Sequence, residues 1–487
     1  MKRIGFILFI LLCLSVGCAS VGPNYHRKDP VVPNRFGSLE QDITTGEPAG
    51  SGLLSSWWRV LQDPILNSLM DRAVRDNQDM HIAQARVQQA RALSLYSSSR
   101  HYPEGGPAGT YERVRRTASG TSRQAASGAV SGKREDDLFL VGFDASWEID
   151  IFGGVRREIE ALEAELAASE DSLRDTLITL QGEVARNYIE YRGLQLRLEI
   201  ARKELRIRRE SLEITEARVR AGFVSELDLA RARGELASAE SRIPSLENSL
   251  LAALHRIGVL LGLEPMSLVT ELRAPAALPR IPENLPAGLP SDLLRRRPDI
   301  RRAERDVAAA TARIGVSTAQ LFPKFSLTGS FGFQANQADQ LFRDSSNVWG
   351  IGPTLSWPIL NFKRILASIE FSKAVQKETL ARYEKSVLLS LEEVENSLVI
   401  LSQEKRRAEA LTEAVASNDL AVQLANERYL AGLQTYLAVI DALSAQYTAQ
   451  DELAQSRQNQ ALGFVGLYKA LGGGWLDMYG TDDQETN

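Results

Sequence analysis

The second half of this 487-residue chain repeats the first half, and a duplication of this length limits the possible folds. Short motifs return 210 residues later, namely Trp147-Glu148-Ile149 as Trp357-Pro358-Ile359, Arg218-Val219-Arg220-Ala221-Gly222-Phe223 as Arg428-Tyr429-Leu430-Ala431-Gly432-Leu433, and Leu261-Gly262 as Leu471-Gly472. Upstream the offset is 220 residues, as in Asp79 and Asp299, Ala83 and Ala303, Val87 and Val307, and Pro103 and Pro323. The repeated unit has roughly 200 residues, far more than the roughly 20 to 50 residues of a solenoid repeat. The change of offset predicts a ten-residue insertion between Pro103 and Trp147.

Apolar residues at seven-residue spacing predict one long helix in each repeat. The first series is Leu177, Val184, Tyr191, Leu198, Leu205, Leu212 and Val219, and the same positions 210 residues later are Val387, Val394, Leu401, Ala408, Val415, Val422 and Tyr429. No proline interrupts the first pattern between about 154 and 221. At about 1.5 Å per residue this helix is on the order of 100 Å long, which is too long for a globular domain.

Each long helix is predicted to end at a glycine and to be followed by a helix that runs back. Gly222 and Gly432 suit the left-handed conformation in which many helices end. Ser225 and Thr435 can cap the next helix by accepting a backbone N–H. The returning helices extend to about residues 262 and 472, so each repeat is predicted to contain a long helical hairpin.

Before each long helix the apolar period changes to two, which is typical of half-buried strands. Strand pairs are predicted at about 104–114 and 139–151, and at about 324–333 and 348–359. Segment 104–114 alternates least regularly because it is rich in glycine and proline. Strands of about ten residues with one apolar face that ends in Trp147 or Trp357 fit the wall of a transmembrane β-barrel. Four strands cannot close such a barrel, so several chains must contribute.

The N-terminus has the layout of a secretory signal peptide. Lys2 and Arg3 precede an apolar run, residues 4–14, that is too short to span a bilayer. Small residues directly before Cys18 resemble a bacterial lipoprotein cleavage site, so Cys18 is predicted to become the lipidated first residue. The alternative is ordinary cleavage that leaves a free thiol. Cys13 would leave with the signal peptide, so the mature chain can form no disulfide between its own cysteines.

Composition and motifs argue against nucleic-acid binding and against an enzyme. Charged residues make up 24% of the chain with a net charge of −5, which leaves no basic surplus for nucleic acid. The four histidines are scattered, and metalloprotease, phosphate-loop and serine-hydrolase motifs are missing from the sequence. We therefore expect no catalytic residue, no metal site and no bound cofactor.

Two further segments carry a family resemblance, Val21-Gly22-Pro23-Asn24-Tyr25 and the joint between the repeats, Gly288-Leu289-Pro290-Ser291-Asp292-Leu293-Leu294-Arg295-Arg296-Arg297-Pro298-Asp299-Ile300. With the two hairpin units, they resemble the outer-membrane efflux factors, and more narrowly the TolC-like channels of the NodT-type lipoprotein branch of RND efflux systems. The resemblance covers almost the whole mature chain. It implies a mainly α fold with a β-barrel part, in which three chains form a 12-stranded transmembrane β-barrel and a long periplasmic α-barrel. It also implies a passive export channel in the outer membrane of a Gram-negative bacterium.

The resemblance further implies partners and a lipid anchor. The homotrimer would work in a tripartite pump with a periplasmic adaptor (membrane fusion) protein and an inner-membrane transporter of the RND type. Cys18 would carry a diacylglycerol and an N-acyl chain such as palmitate, which insert into outer-membrane lipid. The expected domains are residues 1–17 (signal peptide), 18–62 (acylated extended segment), 63–272 (first repeat), 273–298 (proline-rich equatorial linker), 299–474 (second repeat) and 475–487 (tail).

The family's working parts correspond to the two hairpin tips. Four residues would form the grooves that receive the adaptor: Gly222, Ser225, Gly432 and Thr435. Three residues match the periplasmic gate, with Tyr429 facing Asp228: Asp228, Tyr429 and Asp441. Each of these residues also has a simpler interpretation. The glycines can merely end helices. Tyr429 can pack with the other apolar residues at seven-residue spacing, and the two aspartates can be exposed carboxylates.

Three acidic residues on the polar strand face would line the barrel: Asp144, Glu148 and Asp150. In three chains they would make the lumen acidic and favour cations, or they could be solvated without any effect on selectivity. For the whole chain the alternative function is a periplasmic coiled-coil lipoprotein, a structural or adhesive rod without a pore. A rod needs no lipid-facing Trp147 and Trp357, so the channel is favoured.

Overall fold

The computed structural model describes residues 20–27, 30, 32–37, 55–115, 135–282 and 294–475. In the first repeat it contains α1 (Pro64–Asp76), α2 (Gln78–Ser98), β1 (Glu104–Arg115), β2 (Glu135–Ile149), α3 (Gly154–Arg220), α4 (Glu226–Leu260) and the short α5 (Val269–Leu272). In the second repeat it contains α6 (Pro298–Ala319), β3 (Lys324–Ala335), β4 (Asn347–Ser356), α7 (Phe362–Leu430) and α8 (Tyr436–Ala470). The expected signal peptide, Cys18, most of the tail and part of the 273–298 linker lie outside the described residues.

The four strands form one antiparallel sheet in the order β1, β2, β3, β4. They belong to a compact unit made of the described residues of 20–27, 88–168 and 304–381. The two repeats meet between β2 and β3, and β1 and β4 are the edges. The strand pairs β1–β2 and β3–β4 share one register. In the first pair Glu104 lies opposite Ser146. Their equivalents in the second pair, Lys324 (220 positions later) and Ser356 (210 positions later), also lie opposite each other. The ten-residue insertion therefore falls between β1 and β2.

One face of this sheet is apolar and open. Its exposed side chains are Val141, Phe143, Ile149, Phe331, Trp349, Ile351 and Leu355. Each of the two tryptophans at the ends of the apolar rows donates its indole N–H to a backbone carbonyl, Trp147 to His101 at 2.9 Å and Trp357 to Leu321 at 3.1 Å. The two bonds occupy equivalent places in the repeats. An exposed apolar face of this size is typical of contact with lipid or with protein.

A second compact unit contains the described residues of 30–87, 169–303 and 382–475. Heptad residues of the long helices lie in its core, and Leu177, Val184 and Val394 are fully buried. The two returning helices end alike. The Asn77 amide donates to the Leu260 carbonyl at 2.9 Å, and the Arg297 guanidinium, 220 positions later, donates to the Ala470 carbonyl at 2.9 Å. These bonds satisfy carbonyls that a helix end leaves free.

Three elements differ from the sequence prediction. β2 ends at Ile149 rather than at about 151, because the Asp150 carboxylate turns away to accept from the Arg156 backbone N–H at 2.9 Å. β4 ends at Ser356 rather than at about 359, because Pro358 has no N–H and residues 359–361 form a 3₁₀ turn. Before the first strand pair the helical pattern predicts a single helix over about residues 64–101, but the structure divides it at Asn77, whose side chain accepts from the Met80 N–H and so starts α2.

Within the described residues, no helix is both long enough and apolar enough to cross a membrane. In the same part of the chain, no group of three or more His, Cys, Asp or Glu side chains could hold a metal ion.

Candidate functional site

Each hairpin tip turns at a glycine in the left-handed conformation, with φ of +74° at Gly222 and +72° at Gly432. The next N–H closes the turn in both repeats, because Phe223 donates to the Arg218 carbonyl and Leu433 to the Arg428 carbonyl, each at 2.9 Å. This bond pattern ends many helices and needs a residue without a Cβ penalty. A Cβ added at either glycine would meet no atom within 4 Å, so both turns are open.

The two returning helices start differently. The Asp228 carboxylate accepts from the backbone N–H and the hydroxyl of Ser225, at 3.3 and 3.1 Å, and holds the first turn of α4. Thr435 stands at the equivalent position before α8, but its side chain makes no capping hydrogen bond. The reciprocal carboxylate is missing there, because the residue three positions on is Ala438. Asp228 is therefore engaged within its own helix.

Both tips expose large apolar side chains that the sequence analysis did not include among the tip residues. Phe223 is 75% exposed and Leu433, its equivalent, is 76% exposed. One turn further on, Leu227 and Leu437 are also exposed at equivalent positions. Solvent-facing turns usually carry polar residues. The recurrence of large apolar residues at the same offset is the sequence signal that identifies this surface.

Arg218 joins the two tips of one chain. Its Cζ atom lies 4.5 Å from the centre of the Tyr429 ring, and Nη1 donates to the carbonyls of Tyr429 and Leu430 at 3.2 and 3.5 Å. A cation over an aromatic ring is stabilising, and these carbonyls belong to the last turn of α7. The Arg218 Nε and the Tyr429 hydroxyl are both buried and have no hydrogen-bond partner among the described residues.

Tyr429 is a packed residue in this chain. It belongs to an apolar cluster between the hairpins: Ala232, Ala425, Tyr429, Tyr436, Val439, Ile440 and Leu443. Its ring lies 5.4 Å from that of Tyr436, whose hydroxyl is 2.9 Å from the Ser211 hydroxyl. Burial raises the pKa of Tyr436 above its usual range. Asp441 is exposed on α8, and no hydrogen bond between described residues joins Tyr429 to Asp228 or Asp441.

The structure separates the three predicted lumen acids. Asp144 lies opposite Ser330 on the polar sheet face, and no basic side chain of the described residues pairs with it. Glu148 lies on the same face, but it pairs with Arg100 and Lys324, each at 3.7 Å. Asp150 lies after the strand rather than on it, and its carboxylate binds Arg156 with only 12% of the side chain exposed. Asp144 is thus the one of the three without a basic partner in the described part of the chain.

A further acid, Glu104, shares this polar face. An open trough there is lined by Glu104, Asp144, Ser146, Thr328, Ser330, Gly350 and Gly352, with neighbouring residues. Small side chains leave this surface wide and open. Glu104 is missing from the predicted acids because segment 104–114 alternates poorly, although its equivalent Lys324 opens a regular strand.

Known proteins match this chain over both repeats. The family described as outer membrane efflux protein matches residues 69–263 and 289–473. The chain therefore belongs to the outer membrane efflux protein family. It is a TolC-like efflux channel of the Gram-negative outer membrane, with a large periplasmic part. This family consists of channels, which agrees with the prediction of a non-enzyme and favours the channel over a rod without a pore.

Curated relatives cover nearly the full length. The chain is 34% identical over 422 residues to the pyoverdine export outer membrane protein OpmQ of Pseudomonas aeruginosa, which is 87% of this chain and 88% of the relative. It is 31% identical over 468 residues to nodulation protein T of Rhizobium leguminosarum bv. trifolii, 96% of each. It is 32% identical over 488 residues to the toluene efflux pump outer membrane protein TtgI of Pseudomonas putida, 98% of this chain and 99% of the relative.

Solved structures share the fold. The outer-membrane channel OprN superposes with a TM-score of 0.86 at 34% identity, covering 94% of this chain and all of that chain. The Campylobacter jejuni CmeC channel has the same fold with a TM-score of 0.86 at 22% identity, covering 94% of this chain and 95% of that chain. The predicted fold class is confirmed: a mainly α chain with duplicated helical hairpins and four strands, the fold of trimeric channels with an α-barrel and a β-barrel.

Proposed function

We propose that three copies of this chain form the exit duct of a tripartite efflux pump and that the hairpin tips receive a periplasmic adaptor. The observation that carries this proposal is the exposure of equivalent apolar side chains at two open turns, Phe223 and Leu227 in one tip and Leu433 and Leu437 in the other. A trimer presents this pair six times. Burial of such side chains against a partner is favourable by about 25 cal/mol per Å².

In this proposal an inner-membrane transporter of the RND type supplies the energy, and the duct conducts passively. Relatives are named for pyoverdine export and for toluene efflux, two chemically different cargoes. We infer that the adaptor and the transporter choose the substrate and that this chain supplies a shared exit.

The test places a charge on each tip. The double variant Phe223→Asp and Leu433→Asp should abolish export and co-purification of the adaptor, because a carboxylate cannot be buried at low cost. The matched control is Phe342→Asp, which makes the same change at a phenylalanine that is 72% exposed between β3 and β4. Size-exclusion chromatography in detergent must show both variants as trimers. Normal adaptor capture by the tip variant would refute the adaptor-binding role of the tips.

We propose that the periplasmic gate is built around Tyr429 rather than around a pair of Tyr429 with Asp228. The support is the engagement of Asp228 by Ser225 and the covering of Tyr429 by Arg218. Asp441 remains a candidate for an acidic ring at the entrance, because it is exposed and follows Ile440 of the apolar cluster that contains Tyr429.

We also propose that Cys18 carries a diacylglycerol and an N-acyl chain that anchor the chain in outer-membrane lipid. The support is the residue pattern before Cys18 and the match to nodulation protein T over 96% of the chain. Metabolic labelling with an alkyne palmitate should label the wild type and should fail to label Cys18→Ser. Equal labelling of both proteins would refute lipidation at this residue.

A further inference from the structure

A cluster of charged side chains lies between the two helical hairpins, about four helical turns from the tips. Glu204 and Arg208 of α3 are buried, with 6% and 4% of their side chains exposed, and they pair at 2.8 Å. Arg208 also pairs with Glu235 of α4 at 2.6 Å, and Arg242 of α4 pairs with Glu204 at 2.9 Å. These four residues form the ion cluster. Buried charges are stable only where partners replace the lost water.

The ion cluster also contacts the second hairpin. The Arg208 Nη2 atom donates to the Ser444 hydroxyl at 3.0 Å. The Arg242 Cζ atom lies 4.6 Å from the centre of the Tyr447 ring, a cation over an aromatic face. Ser444 and Tyr447 belong to α8, and all of these residues lie in one compact unit. The ion cluster therefore joins three helices, α3, α4 and α8.

The contacts between the hairpins change in character at this level. Farther from the tips, the Arg197 guanidinium of α3 binds both carboxylate oxygens of Asp451 on α8, at 2.8 and 3.0 Å. Nearer the tips, no ion pair of the described residues joins the hairpins, which meet through the apolar cluster around Tyr429 and the hydroxyl pair of Ser211 and Tyr436. Apolar packing has no preferred direction, whereas separation of a buried ion cluster would leave charges without partners.

The helix α4 has a bendable point at the same level. Pro244 lies two residues after Arg242 and cannot donate to the Glu240 carbonyl, so one hydrogen bond of the helix is missing. Sharp bends in helices occur most often at proline. The equivalent residue in α8 is Ala454, so the second returning helix has no such break.

The duplication did not reproduce the ion cluster. The residues 210 positions after Glu204, Arg208 and Glu235 carry no charge, namely Ala414, Asn418 and Ala445. A role limited to holding the two helices of one hairpin together would apply to both repeats. The restriction of the charges to the first hairpin indicates a role at the contact between the hairpins.

We propose that the ion cluster and Pro244 form a hinge, beyond which the hairpins stay joined and below which their tips separate when the gate opens. The inference rests on the proposed gate and names the residues that limit its movement. From Arg208 to Gly222 the arm of α3 is roughly 21 Å long at about 1.5 Å per residue. A tilt of about 20° at the hinge moves a tip by roughly 7 Å. This movement breaks the contact in which Arg218 lies 4.5 Å from the centre of the Tyr429 ring.

The test places a short chemical bridge between the hairpins on either side of the hinge, in the full-length trimer. Ser211→Cys with Tyr436→Cys lies between the hinge and the tips, and Arg197→Cys with Asp451→Cys lies beyond the hinge. A bifunctional methanethiosulfonate reagent links each pair, and a reductant removes the bridge. In planar-bilayer recordings the first bridge should abolish channel openings until it is reduced. The second bridge should leave the open probability unchanged.

Single-cysteine variants treated in the same way measure the effect of the reagent and of Cys18. Loss of openings with both bridges would overturn the hinge, and so would unchanged opening with both bridges. Either outcome, with export intact after reduction, would leave the exit duct standing. A wild-type trimer that never conducts would overturn the duct and the hinge together.

A second measurement examines the ion cluster. Arg208→Met should raise the open probability by roughly tenfold, because the two carboxylates that lose their partner are better hydrated when the hairpins separate. Arg208→Lys keeps the charge and should restore most of the wild-type value. The matched control is Arg209→Met, at a neighbouring arginine whose side chain is 57% exposed and pairs with Glu240 at 3.4 Å. Equal open probabilities for Arg208→Met and Arg209→Met would overturn the role of the ion cluster.

A third measurement examines the bendable point. Pro244→Ala should lower the open probability and raise the melting temperature, because the helix regains a hydrogen bond and straightens. Ser249→Ala improves helix propensity at an exposed position of the same helix and keeps the proline, so it should leave the open probability unchanged. A Pro244→Ala channel that opens as often as the wild type would overturn the role of Pro244.

Discussion

At the scale of single residues, the two repeats place one residue type in different surroundings. Arg218 covers the Tyr429 ring and binds the end of α7, whereas its equivalent Arg428 is exposed. The residue that corresponds to Tyr429 in the first repeat is Val219, which offers no aromatic ring. The contact between the tips is therefore made by Arg218 and Tyr429 and has no counterpart between Arg428 and Val219.

Replacing Arg218 by alanine should weaken the contact between the two tips and so favour opening of the proposed gate. The contact with the ring contributes about 1 kcal/mol and the bonds to the carbonyls about 1 kcal/mol more, so the open fraction should rise by roughly tenfold to thirtyfold. Planar-bilayer recordings would show this as a higher open probability. Arg428→Ala removes the same side chain at the equivalent position and should have little effect. Equal effects of the two variants would argue against the contact with Tyr429 as the cause.

A second residue-scale prediction concerns pH. Burial, with the neighbouring Asp299, raises the pKa of the Asp175 carboxyl above 3.8, although Arg302, Arg297 and Lys469 oppose the shift. The folded state therefore binds the proton more tightly than the unfolded chain does, and this stabilisation is lost as the pH rises through the raised pKa. Asp175→Asn should increase the melting temperature at pH 7, and the gain should shrink on acidification towards pH 3.8.

The control for Asp175→Asn is Glu213→Gln, which neutralises an exposed carboxylate on the same helix. It should change the melting temperature little at either pH. A destabilised Asp175→Asn at neutral pH would show that the ionised carboxylate stabilises the fold, contrary to the prediction.

At the scale of elements, helix ends with the same backbone conformation differ in what surrounds them. Gly222 and Gly262 both have positive φ, +74° and +68°. A Cβ at Gly222 would meet nothing, but a Cβ at Gly262 would lie 2.4 Å from the Asp76 carbonyl oxygen. Gly262 thus fits the end of α4 closely against the end of α1, while Gly222 only reverses the chain.

Gly262→Ala should therefore destabilise the protein more than Gly222→Ala. Both substitutions carry a strain of about 1 kcal/mol from the left-handed conformation. Only Gly262→Ala must also move backbone atoms, at a further cost of about 1–3 kcal/mol. Thermal unfolding followed by circular dichroism in detergent would measure the difference, and equal melting temperatures would contradict it.

At the scale of the whole molecule, the prediction of an acidic lumen depends on which strand acids are paired. Asp144 has no basic partner among the described residues, whereas Asp150 is bound by Arg156. Asp144→Asn should reduce the preference for cations, because it removes three unpaired charges from a trimer. The reversal potential in a salt gradient across a planar bilayer measures this preference.

Asp150→Asn is the matched control for the lumen. It should leave the reversal potential unchanged and should lower the melting temperature, because it weakens the bond that starts α3. A change in selectivity with Asp150→Asn, and none with Asp144→Asn, would reverse the assignment of the two residues.

Much of the fold could be predicted because it depends on periodicity. The heptad series predicts α3 and α7, the glycines predict their ends, and alternation predicts four strands close to where they lie. The candidate site was less predictable. The covering of Tyr429 by Arg218 and the pairing of Glu148 with Lys324 are contacts between segments far apart in the chain, and periodicity contains no information about them.

The sequence by itself determined the duplication, the helical hairpins, the strand pairs and the family, because these depend on local spacing and on motifs that return at constant offsets. Only the tertiary structure decided which polar groups are engaged. Glu148 pairs with Arg100 and Lys324, Asp150 binds Arg156, and Asp144 has no basic partner among the described residues, although all three are acids of one alternating segment. The physical reason is that the effect of a charge depends on its nearest partners, and packing, not spacing, brings those partners together.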